Sequence, residues 1–285
     1  LEDATLGDVT QQGEVTTYTT PVLNAIATGA GVELPLELEY DVNVRVVEYV
    51  TQDRGELTTA TTFVAAPTPK AGQEQNFKTL VFLHGTSGFT DGCGPSSDSE
   101  TLLLASAIAS TGFVVVGPDY LGLKGIGDAS EELHPYLVGE SVAMTSIDAL
   151  RAVGKLGLFE EQGACASSEI LVLGGSQGGH AALWFDRMLP YYAPEFELLG
   201  TVATVPPADL IGQSKRALTS PVQASANVIA FWTTASYWYG LGDKLAEVFV
   251  SPYDVDVSAA MRMSCDPSDN IDLDSFTDLG CKGSV

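Results

Sequence analysis

Two β-branched runs, "NVRVVEYV" (43 to 50) and "LTTATTFVAA" (57 to 66), flank the polar stretch "TQDRGE", a pattern that predicts an antiparallel hairpin opening a sheet. "KTLVFLHG" (78 to 85) and "GFVVVGPDY" (112 to 120) are short, continuous apolar runs of the kind buried on both faces. "TLLLASAIASTG" between them reads as the crossover helix. "YLVGESVAMTSIDALRAVGKLG" places Ala143, Ile147 and Leu150 on one helical face and stops at a glycine. His134, in "HPYL", precedes a proline and is expected to open that helix as a loop or cap residue. "EILVLGG" then supplies a strand, and "LLGTVATVPPAD" (198 to 209) one more. This alternation predicts an α/β fold with a mainly parallel sheet covered by helices. From about residue 210 the pattern changes: "VIAFWTTASYWYGLGDKLAEVFV" is apolar and aromatic without strand alternation, as in a helical insertion over the sheet. The expected division is a core over 1–209 and a helical cap over 210–285.

Composition narrows the classes. The 285 residues are 45% hydrophobic and 18% charged, enough for one sizeable core with an insertion. A net charge of −24 repels phosphate backbones and anionic bilayers, so no nucleic-acid partner is expected. No apolar run is long enough for a transmembrane segment. The opening Leu1, Glu2 and Asp3 are not a signal peptide, and a chain beginning at leucine is expected to have been trimmed. Cys93, Cys165, Cys265 and Cys281 lie far apart with no CxxC spacing. That argues against zinc and fits two disulfides in a secreted (or periplasmic) protein, four free thiols in a cytosolic one being the alternative. Asp266, Asp269, Asp272, Asp274 and Asp278 crowd one stretch, but without the glycine and distal glutamate of a calcium loop they read as a solvated acidic loop. No metal or cofactor is implied.

The chemistry concentrates in "LVLGGSQGGHAAL" (171 to 183). Gly174, Gly175, Ser176, Gln177 and Gly178 form a G-x-S-x-G turn with an apolar strand before and a helical pattern after, the setting that presents a nucleophilic serine. Ser176 is the candidate nucleophile, and the amide of Gln177 at the helix start is placed to donate to an oxyanion. The alternative is a strand-to-helix turn in which Ser176 only caps the helix. A second donor is expected from the His-Gly loop of "FLHGTSGFTDGCGPSSDS", at Gly85 or Thr86. His84 is expected to brace that loop by hydrogen bonding. His180, four residues beyond Ser176, points along the helix and reads as a packing histidine.

"HGTSGFTDGCGPS", "PDYLGL", "HPYLVGESVAMTSIDALRA", "GGSQGGHAALW" and "YAPEFELLGTVATVPPADL", in this order and spacing, resemble the secretory lipase family of α/β hydrolases, the yeast lipase A type. The resemblance implies Ser176 as nucleophile, an oxyanion site from Gly85 and Thr86 with Gln177, a helical cap after the strand ending near Val205, and a bridge from Cys93 to a cysteine of the cap, Cys265 standing at the better matching distance. The sequence departs from the family in one respect. In such hydrolases the acid and histidine follow the cap, in the order Ser, Asp, His, yet the only histidine beyond Ser176 is His180. Two sheet strands are also expected after the cap. Three readings account for this: a precursor cleaved in the cap into two associated chains, a shortened chain, or a serine-bearing binding protein without catalysis. The first is favoured, with a second, C-terminal polypeptide carrying the acid and histidine.

The leading function is therefore a serine hydrolase of neutral carboxylic esters, a lipase or esterase. A non-catalytic interaction protein on a hydrolase fold or a secreted serine peptidase are the alternatives. Phe231, Trp232, Tyr237, Trp238 and Tyr239 form an aromatic cluster in the cap, and Phe231, Trp232, Tyr237 and Trp238 are the candidate substrate-pocket residues.

Overall fold

The computed structural model of the chain describes residues 3–29, 37–70, 75–131, 133–156, 164–219 and 225–266. It opens with strands β1 (Val9–Gln12) and β2 (Thr16–Tyr18) and helix α1 (Thr20–Gly29), of which the hydrophobic pattern gives no notice. Strands of four and three residues are too short to show a period. Both hold by antiparallel pairing with β3 (Val42–Asp53). β3 and β4 (Glu56–Pro67) form the expected hairpin, which turns on Arg54 and Gly55 at φ 51° and 86°, as a two-residue type I′ loop requires.

The parallel part follows as β5 (Gln75–Leu83), α2 (Ser99–Ala109), β6 (Phe113–Pro118), α3 (Gly139–Lys155), β7 (Ala164–Gly175), α4 (Gln177–Tyr192) and β8 (Glu197–Thr204). Sheet order is β1-β3-β4-β6-β5-β7-β8, antiparallel as far as β6 and parallel from there, with β2 also paired to β3. α2 starts where the Asp98 carboxylate accepts from the amides of Glu100 and Thr101. α3 begins at Gly139 with Val138 as its cap, so His134 does not open it: the turn His134–Leu137 intervenes, with Leu137 at φ 57°. Alternate residues of each strand feed opposite faces. Val114 and Val116 join Ile147 and Leu150 of α3 and Phe185 of α4 on one side, while Val115 joins Leu23 of α1 and Ala105 of α2 on the other.

Beyond β8 come α5 (Leu210–Thr219), α6 (Ser225–Trp238), α7 (Leu245–Val248) and α8 (Tyr253–Met263). Ile229, Phe249, Val257 and Met261 of this region share one apolar cluster with Phe89, Leu133, Tyr136 and Leu137 of the core loops. β8 is the last strand of the sheet among the described residues, and it is poorly covered: Leu199 and Val202 are 40% and 54% exposed. Among the described residues no helix is long and apolar enough to cross a membrane.

Cys93, in the loop after β5, is bridged to Cys265 beyond α8, and Cys165 is free and exposed. Cys281 and the acidic run from Asp269 lie outside the described residues. The bridge closes a span of 172 residues, for which chain entropy gives about 5 kcal/mol of stabilisation. Cys93→Ser is expected to lower the melting temperature by roughly 10 °C. A melting curve superimposable on the unmodified protein's, with and without reductant, would show that the cap does not need the bridge.

Candidate active site

β5 and β7 are parallel neighbours with Leu83 opposite Gly174, so the chain leaves both strands at one edge and sets His84–Gly85 beside Gly175–Ser176. The order of the sheet reverses here, since β6 lies on one side of β5 and β7 on the other. Such switch points open the crevice in which open α/β sheets bind ligands. A methyl group on Gly85 would stand 3.6 Å from the Gly175 carbonyl oxygen and 3.9 Å from Ser176 Cβ.

Ser176 has φ 55° and ψ −120°, a conformation that L-residues avoid, and its side chain makes no capping hydrogen bond to α4. Two close approaches hold the turn. A Cβ on Gly174 would lie 2.0 Å from the Gly178 carbonyl oxygen, and one on Gly178 would lie 1.9 Å from that of Leu83. The Ser176 amide donates to the Thr204 carbonyl at 3.0 Å, which ties the turn to the end of β8. The side chain is left exposed to solvent. Gln177 is the first residue of α4, so its amide is one of the orphan donors of a helix N-terminus, where the dipole favours negative charge.

The Gln177 side chain is buried. Its Nε2 donates to His134 Nε2 at 2.6 Å, while its Oε1 has no partner among the described residues. His134 completes the chain by donating from Nδ1 to the Leu121 carbonyl at 2.8 Å, and burial pushes its pKa down to about 3, so the ring is neutral. Thr86 is exposed and its Oγ1 lies 2.8 Å from the Tyr136 hydroxyl.

The other two histidines are also committed away from the serine. The ring nitrogens of His84 face the carbonyls of Gly85 at 2.7 Å and Asp119 at 3.3 Å. Its ring stacks on Tyr120 at 4.1 Å, and burial lowers its pKa to about 4. His180 faces the carbonyls of Pro207 and Leu137, though its Nε2 has no partner within hydrogen-bonding geometry, and burial lowers its pKa. Asp119 is the buried carboxyl nearest this loop. Burial raises it to about 7 against hydrogen bonds from Ser96 and Thr61, and no histidine ring donates to its side chain. None of the three histidines hydrogen-bonds Ser176.

A cavity of about 410 Å³ opens beside Ser176, with Leu137, Val205, Leu210 and Phe231 among its apolar walls and Arg216 as the charged residue lining it. Of the four candidate pocket residues only Phe231 lines it. Trp232, a third of a turn round α6, is 40% exposed and donates to Ser214. Tyr237 is 44% exposed and packs on Gly242. Trp238, two turns beyond Phe231, is buried over the β3–β4 turn, donating to the Asp53 carboxylate at 2.9 and 3.0 Å. A helix carries only one of these side chains to a given spot. The sequence reading also missed Tyr136, Leu137 and Val205. Val205 has φ 43°, rare for a β-branched residue, and no local motif announces it. A larger cavity, about 960 Å³, lies at the opposite end of β7 among Lys155, Ser167 and Tyr191, and holds none of the motif residues.

The secretory lipase family model matches residues 94–235, which include Ser176, Gln177 and His134. Lipase 7 of Candida albicans is 33% identical over 107 residues, 37% of this chain but only 22% of that protein. Among solved structures, the rice cell wall degrading esterase LipA of Xanthomonas oryzae superposes with a TM-score of 0.78 at 22% identity, over 98% of this chain and 74% of that one. A putative hydrolase of Legionella pneumophila gives 0.76 at 22% identity, over 92% and 69%. Candida antarctica lipase A in its closed state gives 0.63 at 17%, over 90% and 55%. At these identities the superpositions speak for the fold alone. That fold is the α/β-hydrolase fold, and over residues 94–235 the chain is similar to the secretory lipases.

Proposed function

We propose that this chain carries the nucleophile and oxyanion site of a secreted serine hydrolase that cleaves neutral carboxylic esters, a lipase or esterase. The observation that carries the reading is Ser176: exposed, held at φ 55° between a central strand and a helix N-terminus, beside a largely apolar cavity. Backbone strain of this kind gathers at functional sites, and here it falls on a nucleophilic side chain. Ser176 Oγ attacks the ester carbonyl as a base takes its proton, the carbonyl oxygen takes the charge facing the Gln177 amide and the Gly85–Thr86 loop, and the ester C–O bond breaks as that proton passes to the leaving alcohol. Water then hydrolyses the acyl-enzyme. Residues 1–209 serve as the core and 210–285 as the cap. The family match and the printed names of Lipase 7 and LipA support an ester substrate over a peptide.

The base is proposed to come from outside this chain. Each histidine faces carbonyl groups or Gln177, so a second, C-terminal polypeptide supplies the histidine and acid. The half-exposed edge strand β8, with Leu199 and Val202 turned outward, is where it adds strands to the sheet.

Three outcomes follow. A fluorophosphonate is expected to label Ser176, and Ser176→Ala to cut kcat roughly a million-fold, the scale seen when triad nucleophiles are removed; an alanine variant that keeps most activity refutes the assignment. Active enzyme is expected to show, by denaturing electrophoresis and intact mass, further polypeptide beyond the 29.9 kDa of this chain. Full esterase activity in a single chain of that mass would return the base to His84, His134 or His180. Third, kcat/KM on p-nitrophenyl esters is expected to rise from acetate to medium and long acyl chains, because each methylene buried in the cavity contributes about 0.8 kcal/mol. A steady fall from acetate upward would make the cavity no acyl site.

A further inference from the structure

We propose that the loop His134–Leu137 is the positioning element of the oxyanion site, with His134 fixing Gln177 and Tyr136 fixing Thr86. This rests on the reading of Ser176, Gln177 and Thr86 given above and adds residues to it. The two halves of that site arrive on different strands, Thr86 after β5 and Gln177 after β7, and this one loop bonds to both.

On the Gln177 side, the hydrogen bonds admit a single arrangement. His134 Nδ1 faces a carbonyl oxygen and must carry the proton, so Nε2 is an acceptor and the Gln177 amide must present its N–H₂ to it. That choice leaves Gln177 Oε1 buried without a partner among the described residues. What the pair does accomplish is to hold the first residue of α4, whose backbone amide faces the oxyanion position.

On the Thr86 side, the Asn227 amide of α6 hydrogen-bonds the Tyr136 hydroxyl, which lies 2.8 Å from Thr86 Oγ1. The Tyr136 hydroxyl therefore joins Asn227 of α6 to Thr86. Tyr136 is itself held. Its amide donates to Thr234 Oγ1 at 3.2 Å, and its ring meets Phe89 edge-on at 5.3 Å. The seating of the cap helix thus reaches the oxyanion loop through one side chain.

The test is kcat and KM on a p-nitrophenyl ester, with active sites counted by fluorophosphonate titration, in Tyr136→Phe, Gln177→Met, Thr86→Val and the Thr86→Val/Tyr136→Phe double variant. Tyr136→Phe deletes one hydroxyl, and Gln177→Met deletes the amide but keeps the backbone N–H. Each single variant is expected to lower kcat roughly 10- to 100-fold, below the loss from deleting an oxyanion donor outright, with KM changed less than about threefold. In the Thr86→Val background, Tyr136→Phe is expected to change kcat less than about twofold. Wild-type kcat in either Tyr136→Phe or Gln177→Met overturns the proposal. So does a KM rise that accounts for the loss, or full multiplication of effects in the double variant. Ser176→Ala separates the two levels: if it stays active the nucleophile reading fails, whereas an inactive Ser176→Ala beside an unimpaired Tyr136→Phe removes the positioning role alone.

Discussion

The site depends on a contact between backbones: the Gly178 carbonyl lies where a Cβ of Gly174 would stand, and the Leu83 carbonyl where a Cβ of Gly178 would stand. Only glycine permits this approach, and the approach is what bends the chain so sharply that Ser176 takes φ 55°. The conformation costs on the order of 1–3 kcal/mol, so the surroundings must over-determine it. They do so from both sides. β7 is paired along its length with β5 and β8, and α4 buries Ala181, Ala182, Phe185 and Leu189 against the sheet. Neither element can relax without unpairing a strand or opening the core.

Around this turn burial keeps His84 and His134 uncharged. His84 and His134 are pushed by burial to about 4 and 3, so both are neutral at physiological pH, and His134 is used for its fixed pattern of donor and acceptor. The sign bears on acid stability. Both groups take up protons more readily once unfolded, so between about pH 6.5 and their native pKa values falling pH favours the unfolded chain. Asp119, raised to about 7 by burial, acts the other way, since its native form holds a proton that an unfolded carboxyl gives up above about pH 4. The surplus of acidic side chains is a matter for the surface, and the cavity beside Ser176 is lined by one cation, Arg216.

The hairpin β3–β4, the strands β5 to β8 and the helices between them were legible because each buries a face with a period. The G-x-S-x-G turn was legible because glycine is the only residue that allows its close approaches. β1, β2 and α1 were not, since they follow from pairing and docking with later elements. The pocket was overread for a related reason: aromatic side chains crowd α6, but helical rotation turns Trp232 away from the cavity that Phe231 lines, and two turns of rise carry Trp238, on the same face, to the β3–β4 turn. Tyr136 and Leu137 went unnoticed beside His134 because their contacts are made to Thr86, Asn227 and the cavity, residues that lie far away along the chain and leave no local pattern.

The cap is joined to the core by bonds of three different kinds, and their placement is uneven. The disulfide ties the end of α8 to the loop after β5. The Trp238 indole donates to Asp53 while Arg54 stacks over its ring at 5.1 Å and donates to its carbonyl, which fixes the far end of α6 to the hairpin turn. Between them Thr234 accepts from the Tyr136 amide. α6 and α8 are therefore fixed to the loop that carries Thr86 and to the loop His134–Leu137 that bonds Gln177. α5 is held differently: it enters from Pro206 and Pro207 after the strained Val205, buries only Ser214 and Ala217 among its described side chains, and is linked to α6 by the Trp232–Ser214 bond. Leu210, Gln213, Arg216 and Ala217 of this helix nevertheless form one wall of the cavity at Ser176. Of the walls of that cavity, the one formed by α6 is thus tied to the core, and the one formed by α5 has the fewest ties and is the readier to move.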